Sequence, residues 1–177
     1  MSHPVSRVGG LVLQPDRTPV SAYTRKSIAK DIAVVAANMR KADVAEIQAG
    51  SGETPAAALL YCYMASGPCM TICGKDGTPV AMWGAVPAGN GVGRVWLLGT
   101  DQLVRNKGIR VQFLRHAKAC MREVLSGYRV LCNCVDARNK VHIRWIRWMG
   151  FTFVAQHPNY GAEGRLFLEF CQVNGHV

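Results

Sequence analysis

The sequence has few acidic residues and no long apolar run. Its 177 residues include 11 Asp and Glu against 21 Lys and Arg, a formal net charge of +10. No apolar stretch approaches the roughly 18–20 residues of a bilayer-spanning helix. Arg7, Asp16 and Arg17 interrupt the N-terminal segment where a signal peptide would be apolar. We expect a soluble protein made in the cytoplasm, without membrane contact, whose partners are acidic: nucleic acid, a nucleotide-like cofactor or an acidic protein surface.

The seven cysteines show no metal-binding pattern. The sequence contains no Cys-x-x-Cys pair and no cluster of His, and its close pairs are Cys69-x-x-x-Cys73 and Cys132-x-Cys134. Structural zinc sites are built on the missing patterns, so no metal is expected. Because the cysteines lie in apolar segments, buried free thiols are the better interpretation.

Gly and Pro are not in excess, and 49% of the residues are hydrophobic, which excludes a disordered chain. The length fits one domain with a real core. Residues 1–22 contain five Gly and Pro without a helical or strand period. We therefore divide the chain into an N-terminal arm, 1–22, and a domain, 23–177. The arm either docks on a neighbouring protein or is a frayed terminus.

The apolar pattern predicts groups of helices and strands. Thr54-Pro55 is typical of a helix start, and Asp76-Gly77 between two apolar runs is typical of a hairpin. Strands are predicted at 23–27, 70–74, 80–86, 94–98, 128–135, 151–154 and 166–172, with a loop at 158–161. Helices are predicted at 28–39, 43–49, 56–65 and 108–125. This order predicts an α/β (α+β) fold, with a mixed, mostly antiparallel central sheet and helices on both faces.

A short helix is predicted between Asn139 and Gly150. The Asn side chain can cap the helix, and the Gly suits the left-handed residue that ends it. Val141, Trp145 and Trp148 form an apolar stripe at helical spacing. These Trp residues are either core anchors or, where exposed, part of a protein–protein interface.

A basic stripe lies beside the apolar one. It consists of Lys140, Arg144 and Arg147 at the same spacing. The stripe either contacts phosphates or an acidic protein, or is a solvated helix face. Because no nucleic-acid-binding motif accompanies it, contact with DNA would be non-specific.

The pattern Asn139-x₅-Trp145-x₄-Gly150-Phe151 resembles the last motif of the GCN5-related N-acetyltransferase fold. A closer likeness rests on residues 38–47, 96–102 and 135–139. These segments resemble a group of bacteriophage proteins with this fold, related to the internal virion protein of short-tailed phages. The likeness runs from about residue 26 to 170. It implies a structural or accessory component of a phage particle, internal, tail-associated or ejection-related. Other virion proteins, in repeated copies, would be its partners, and the host cytoplasm its location before assembly.

The acetyltransferase resemblance also implies a cofactor site, from which the sequence departs. Active members bind acetyl-CoA through a loop that corresponds to Arg105-Asn106-Lys107-Gly108-Ile109-Arg110. Gly108 matches, but Arg110 stands where a small residue is expected. With Asn139, the site residues would be Arg105, Lys107, Gly108, Ile109 and Arg110.

A second departure concerns the general acid. Ile146 occupies the position of the Tyr that protonates the leaving thiolate in many members of the fold, and isoleucine cannot donate a proton. Asp101 and His116 are the nearest ionisable candidates for this role. The alternative interpretation is that Asp101 is an ordinary loop or capping carboxylate and His116 an ordinary residue of the helix surface. We therefore expect that the protein binds no cofactor and is not an enzyme. The alternative is an acetyl-CoA-dependent N-acetyltransferase.

Overall fold

The computed structural model describes residues 7–8, 11–12 and 22–174. The first two pairs are short strands, β1 (Arg7–Val8) and β2 (Leu11–Val12), which pair antiparallel. Most of the predicted arm lies outside the described residues, so its division from the domain stays a prediction.

Seven strands form one sheet in the order β3-β4-β5-β6-β7-β9-β8. They are β3 (Ala22–Lys26), β4 (Cys69–Gly74), β5 (Pro79–Pro87), β6 (Val92–Gly99), β7 (Val130–Asp136), β8 (Thr152–Tyr160) and β9 (Arg165–Val173). The helices are α1 (Lys30–Ala37), α2 (Lys41–Ser51), α3 (Pro55–Ala65), α4 (Gln102–Arg105), α5 (Lys107–Val124) and α6 (Lys140–Met149). All pairings in the sheet are antiparallel except that of β6 with β7. The predicted fold class is confirmed.

The parallel pair follows from the helices between its strands, since a parallel connection needs a long crossover. The pair is short. Val92, Gly93 and Arg94 of β6 are in register with Val130, Leu131 and Cys132 of β7, and the pairing then stops. The two strands therefore part near the middle of the sheet.

Helices cover both faces of the sheet. On one face, α1, α2 and α3 pack through Ile32, Val35, Ile47 and Leu59 against strand residues such as Met82 and Trp96. On the other face, α5 and α6 pack against alternate strand residues, Trp83 and Val95 among them. The pleat of the strands thus divides the core into two layers.

One predicted element needs correction, and one element was not predicted. The region predicted as a loop at 158–161 belongs largely to β8, which ends at Tyr160. Because β8 is an edge strand, Pro158 is tolerated there without a lost ladder bond. The four-residue helix α4 was not predicted, since it is too short to show a period.

The cysteines are less buried than the sequence predicted. Of the seven free cysteines, Cys69 and Cys73 are buried and the other five are half-buried.

The buried face of α6 also differs from the predicted stripe. Ile143, Ile146 and Met149 enter the core, whereas Val141 is 44% exposed and Trp148 is 41% exposed. Both sets recur at helical spacing, so the sequence pattern alone does not distinguish them. The packing of α6 against the sheet decides which of the two sets is buried.

Candidate functional site

The N-terminus of α5 is where the acetyltransferase resemblance places a phosphate site. The Asn106 side chain occupies it, because its Oδ1 accepts hydrogen bonds from the backbone N–H groups of Gly108 at 3.0 Å and Ile109 at 3.2 Å. The carbonyl of Asn106 accepts from the N–H of Arg110 at 2.9 Å. A helix N-terminus binds phosphate through free N–H groups. The N–H groups of Gly108, Ile109 and Arg110 are therefore already bonded within the chain.

The other predicted residues of this loop make separate contacts. The Arg110 guanidinium donates to the carbonyl of Val104 at 2.8 Å, which ties it to the preceding helix α4. Arg105 pairs with Asp101 at 3.2 Å on the surface. Lys107 is exposed, and Ile109 lies in the core at 2% exposure. These residues are neighbours in the chain, but their side chains do not converge on one ligand position.

A cavity of about 120 Å³ lies where β6 and β7 part. Asn133 of β7 spans the gap, since its Nδ2 donates to the carbonyl of Val95 on β6 at 2.9 Å. Glu46 of α2, residues 95–98 of β6, and His142 and Trp145 of α6 contribute to the lining. The side-chain bridge narrows the opening that separated strands would otherwise leave.

Two ionisable groups in the cavity wall are held uncharged. Burial raises the pKa of Glu46 to about 8, although the hydrogen bond from Asn139 acts in the opposite direction. Burial likewise lowers the pKa of His142 to about 4. At neutral pH Glu46 is therefore mostly protonated and can donate a proton, while His142 is a neutral, weakly basic imidazole. His142 Nδ1 and Trp145 Nε1 are buried here without a hydrogen-bond partner among the described residues.

Asn139 lies beside this cavity and joins three parts of the chain. Its Oδ1 accepts from the N–H of His142 at 3.3 Å, which caps α6 as predicted. Its Nδ2 donates to Glu46 Oε2 at 2.9 Å and to Asp43 Oδ1 at 3.3 Å. Asp43 Oδ2 in turn accepts from the N–H of Gly99 at 3.1 Å. The three segments that carry the phage resemblance, 38–47, 96–102 and 135–139, thus meet at one buried carboxylate.

The general-acid candidates lie elsewhere. Ile146 is fully buried in the core, as its apolar side chain allows. Asp101 is exposed in its pair with Arg105, and His116 is exposed on α5. Neither lines the cavity. Sequence reasoning did not single out Glu46 and Asp43, although both lie in the segment 38–47 that carried the resemblance.

The predicted interaction surface on α6 divides into exposed and half-buried residues. Lys140, Arg144 and Arg147 are exposed. Trp148 is partly covered by Lys118 of α5, whose Nζ lies 4.6 Å from the centroid of the Trp148 ring. Trp145 is half-buried and stacks on Phe113 at 5.7 Å between ring centroids. The basic stripe is thus exposed, while Trp145 mainly packs against Phe113 within the protein.

A second surface, on α3, was not predicted. The helix has no charged residue, and its exposed side consists of Leu60, Tyr61 and Met64, with 51%, 65% and 74% of each residue exposed. We call these three residues the α3 apolar face. The uncharged run 55–65 was the signal in the sequence that pointed to it.

The described residues offer few other sites. They contain no group of three or more His, Cys, Asp or Glu that could hold a metal ion. No helix among them is long and apolar enough to cross a membrane.

Comparisons with solved structures show one shared fold. Ard1 from Thermoplasma volcanium is 19% identical, with a TM-score of 0.64 over 87% of this chain and 98% of that one. A GCN5-related N-acetyltransferase from Kribbella flavida is 14% identical, with a TM-score of 0.63 over 89% and 100%. A phosphinothricin acetyltransferase from Sinorhizobium meliloti, solved in complex with AcCoA, is 16% identical, with a TM-score of 0.61 over 88% and 90%. At these identities the likeness concerns the fold.

The sequence itself matches a phage family. No curated protein matches it. The family model described as bacteriophage T7, probable scaffold protein Gp13, matches residues 69–158, which is half of the chain. This range includes the parting strands, the N-terminus of α5 and the Asn139 cap. The chain belongs to the phage family of the probable scaffold protein Gp13, and it has the fold of the GCN5-related N-acetyltransferases.

Proposed function

We propose that this protein is a structural or accessory component of a bacteriophage particle, which uses an acetyltransferase-like fold for protein–protein assembly. The family match supports a role in the particle, because its description is that of a probable scaffold protein. An internal, tail-associated or ejection-related position fits this role. The protein would stay in the host cytoplasm until it is built into the virion.

The observation that carries the proposal is the α3 apolar face. A surface helix normally carries charged or polar residues on its outer side. The outer side of α3 instead carries Leu60, Tyr61 and Met64 with more than half of each residue exposed. Exposed apolar side chains that lie together favour a protein contact site. We infer that a neighbouring subunit covers them.

Charge favours other copies of this chain, or further virion proteins, on that face. The α3 helix is uncharged, whereas exposed Lys and Arg residues line α5 and α6 on the opposite face of the sheet. Two copies that meet through α3 keep these basic helices apart. Contact through α5 and α6 would bring like charges together. Repeated copies in a symmetric assembly are therefore electrostatically compatible with an α3 contact.

The alternative is an acetyl-CoA-dependent N-acetyltransferase. The shared fold and the cavity beside Glu46 and His142 favour it. The residues do not fit the cofactor, however. Asn106 holds the N–H groups that pyrophosphate would need, and Asn133 bridges the parting strands. Fold similarity does not fix function, and we propose that no acetyl-CoA is bound.

The assembly role can be tested in infected cells. A phage that lacks its own copy of the gene is supplied with the wild-type protein or with the double variant Leu60→Glu/Met64→Glu, and the yield of infectious particles is measured. Because two carboxylates on the α3 apolar face must lose water on contact, we expect the variant to assemble few particles.

The control is Val154→Glu, which places a carboxylate at a residue that is 55% exposed on β8. It is expected to support assembly. Thermal unfolding of both purified variants establishes that they fold. A folded α3 variant that supports assembly as well as the wild type would overturn the proposed contact.

A further inference from the structure

The outer surface of α5 and α6 is basic along both helices. On α5 the exposed cations are Lys107, Arg110, Arg115, Lys118 and Arg122. On α6 they are Lys140, Arg144 and Arg147. Against these eight cations, the two helices carry a single carboxylate, that of Glu123. They therefore hold seven of the ten net positive charges of the chain.

The two helices lie on the same face of the sheet and touch through two side-chain contacts. Phe113 of α5 stacks on Trp145 of α6. Lys118 of α5 lies over the ring of Trp148 of α6. We call the eight exposed cations the α5–α6 basic face.

These cations are not neutralised within the described part of the chain. None of the eight has a carboxylate oxygen of a described residue within 4.0 Å. The arginines that do form salt bridges lie elsewhere: Arg25, Arg40, Arg105, Arg138 and Arg165. Like charges on one face repel each other, and a dense row of anions removes that repulsion.

We propose that the α5–α6 basic face binds the phosphate backbone of duplex nucleic acid. A duplex presents about one negative charge per 1.7 Å of its axis, and Lys and Arg that neutralise them release counterions. Contacts of this kind position a protein on the duplex but do not read its bases. Binding is therefore independent of sequence.

The same face fits other acidic partners less well. The core of a protein interface is apolar and depleted of charge, whereas this surface is dominated by cations. A helix that binds a membrane surface turns its apolar side to the lipid. Here Met121 of α5 and Ile146 of α6 pack on the sheet with most of the large apolar residues of the two helices, and Leu114, Val141 and Trp148 are 37–44% exposed. Nucleic acid needs neither feature.

The test measures binding of the purified protein to a fluorescent DNA duplex over a series of salt concentrations. If five to eight cations contact phosphates, the slope of log K against log salt should be about −4 to −7. Two duplexes of unrelated sequence should bind equally. The double variant Arg122→Gln/Arg144→Gln removes one cation from each helix, so its slope should be less steep by about 2.

The matched control is Lys41→Gln/Lys75→Gln, which removes two exposed charges from α2 and from the turn after β4. It should keep the wild-type slope. If the slope of log K against log salt fell equally in the two double variants, only net charge would matter, and this result would overturn the proposal. Tighter binding to polyglutamate or to vesicles of anionic lipid than to the duplex would overturn it as well. This assay does not depend on the α3 contact, so the two proposals fail separately.

Discussion

Asn139 meets two opposite hydrogen-bonding needs with one side chain. Its oxygen accepts a backbone N–H at the start of α6, and its amide nitrogen donates to Glu46 and Asp43 of α2. An amide has an acceptor oxygen and two N–H donors on separate atoms, whereas a Ser hydroxyl has a single donor and an ionised Asp has none. The cap was predictable from local sequence. The donor role was not, because the two carboxylates lie 93 and 96 residues away in the chain.

Glu46 should make stability depend on pH. Its pKa is raised from 4.5 to about 8 in the folded protein. A raised pKa contributes stability that is present below pH about 4.5 and lost as the pH rises through about 8. Glu46→Gln keeps an oxygen for Asn139 but cannot ionise. Relative to the wild type, this variant should gain about 1–3 kcal/mol in free energy of unfolding between pH 5 and pH 8, discounted for the partial exposure of Glu46.

The measurement is urea unfolding of both proteins at several pH values. Glu53→Gln serves as the control, because it removes a carboxylate at an exposed position between α2 and α3. Parallel stability curves for Glu46→Gln and the wild type would contradict a raised pKa at this site.

At the scale of elements, the N-terminus of α5 depends on Asn106 as its cap. Two backbone N–H groups lose their acceptor in Asn106→Ala. We expect the free energy of unfolding to fall by about 1 kcal/mol, the usual cost of a lost helix cap. Denaturant unfolding at neutral pH measures this change. Asn106→Asp keeps an acceptor and adds a favourable charge at the helix start, so it should be at least as stable as the wild type. Equal stability of the Ala variant would argue against the cap.

Elements with strong local signals were predictable, and those set by tertiary contacts were not. Thr54 before Pro55 begins α3, Asp76-Gly77 forms the hairpin, and Gly150 at φ 99° ends α6. The buried side of α6 could not be chosen from sequence, because two apolar sets share one spacing. The end of β8 was missed because Pro158 reads as a loop residue unless the strand is known to be an edge.

The candidate site shows the same division. The loop 105–110 was found from its motif. The sequence did not show that the Asn106 side chain accepts hydrogen bonds from the N–H groups of that loop. Glu46 reaches the cavity only because α2 packs against β7, where Asn139 at the start of α6 bonds to it. No period or local motif marks such a residue.

At the scale of the whole molecule, the two faces of the sheet carry different surfaces. The α3 apolar face lies on the side of α1–α3, and the α5–α6 basic face lies on the other. Composition predicted an excess of positive charge but not its separation from an uncharged surface. Such a molecule can contact protein on one side and a polyanion on the other. In the sheet between these two faces, the Asn133 side chain bridges β6 and β7 where the two strands part.

Titration calorimetry of the purified protein with acetyl-CoA tests the central proposal, that this fold serves assembly and binds no acetyl-CoA. An active acetyltransferase, measured in parallel, controls for the quality of the cofactor. Because Asn106 already bonds the N–H groups of Gly108 and Ile109, we predict no binding heat up to about 1 mM cofactor. Saturable binding with a Kd of about 1–10 μM, worth roughly 7–8 kcal/mol, would contradict the account and favour the acetyltransferase.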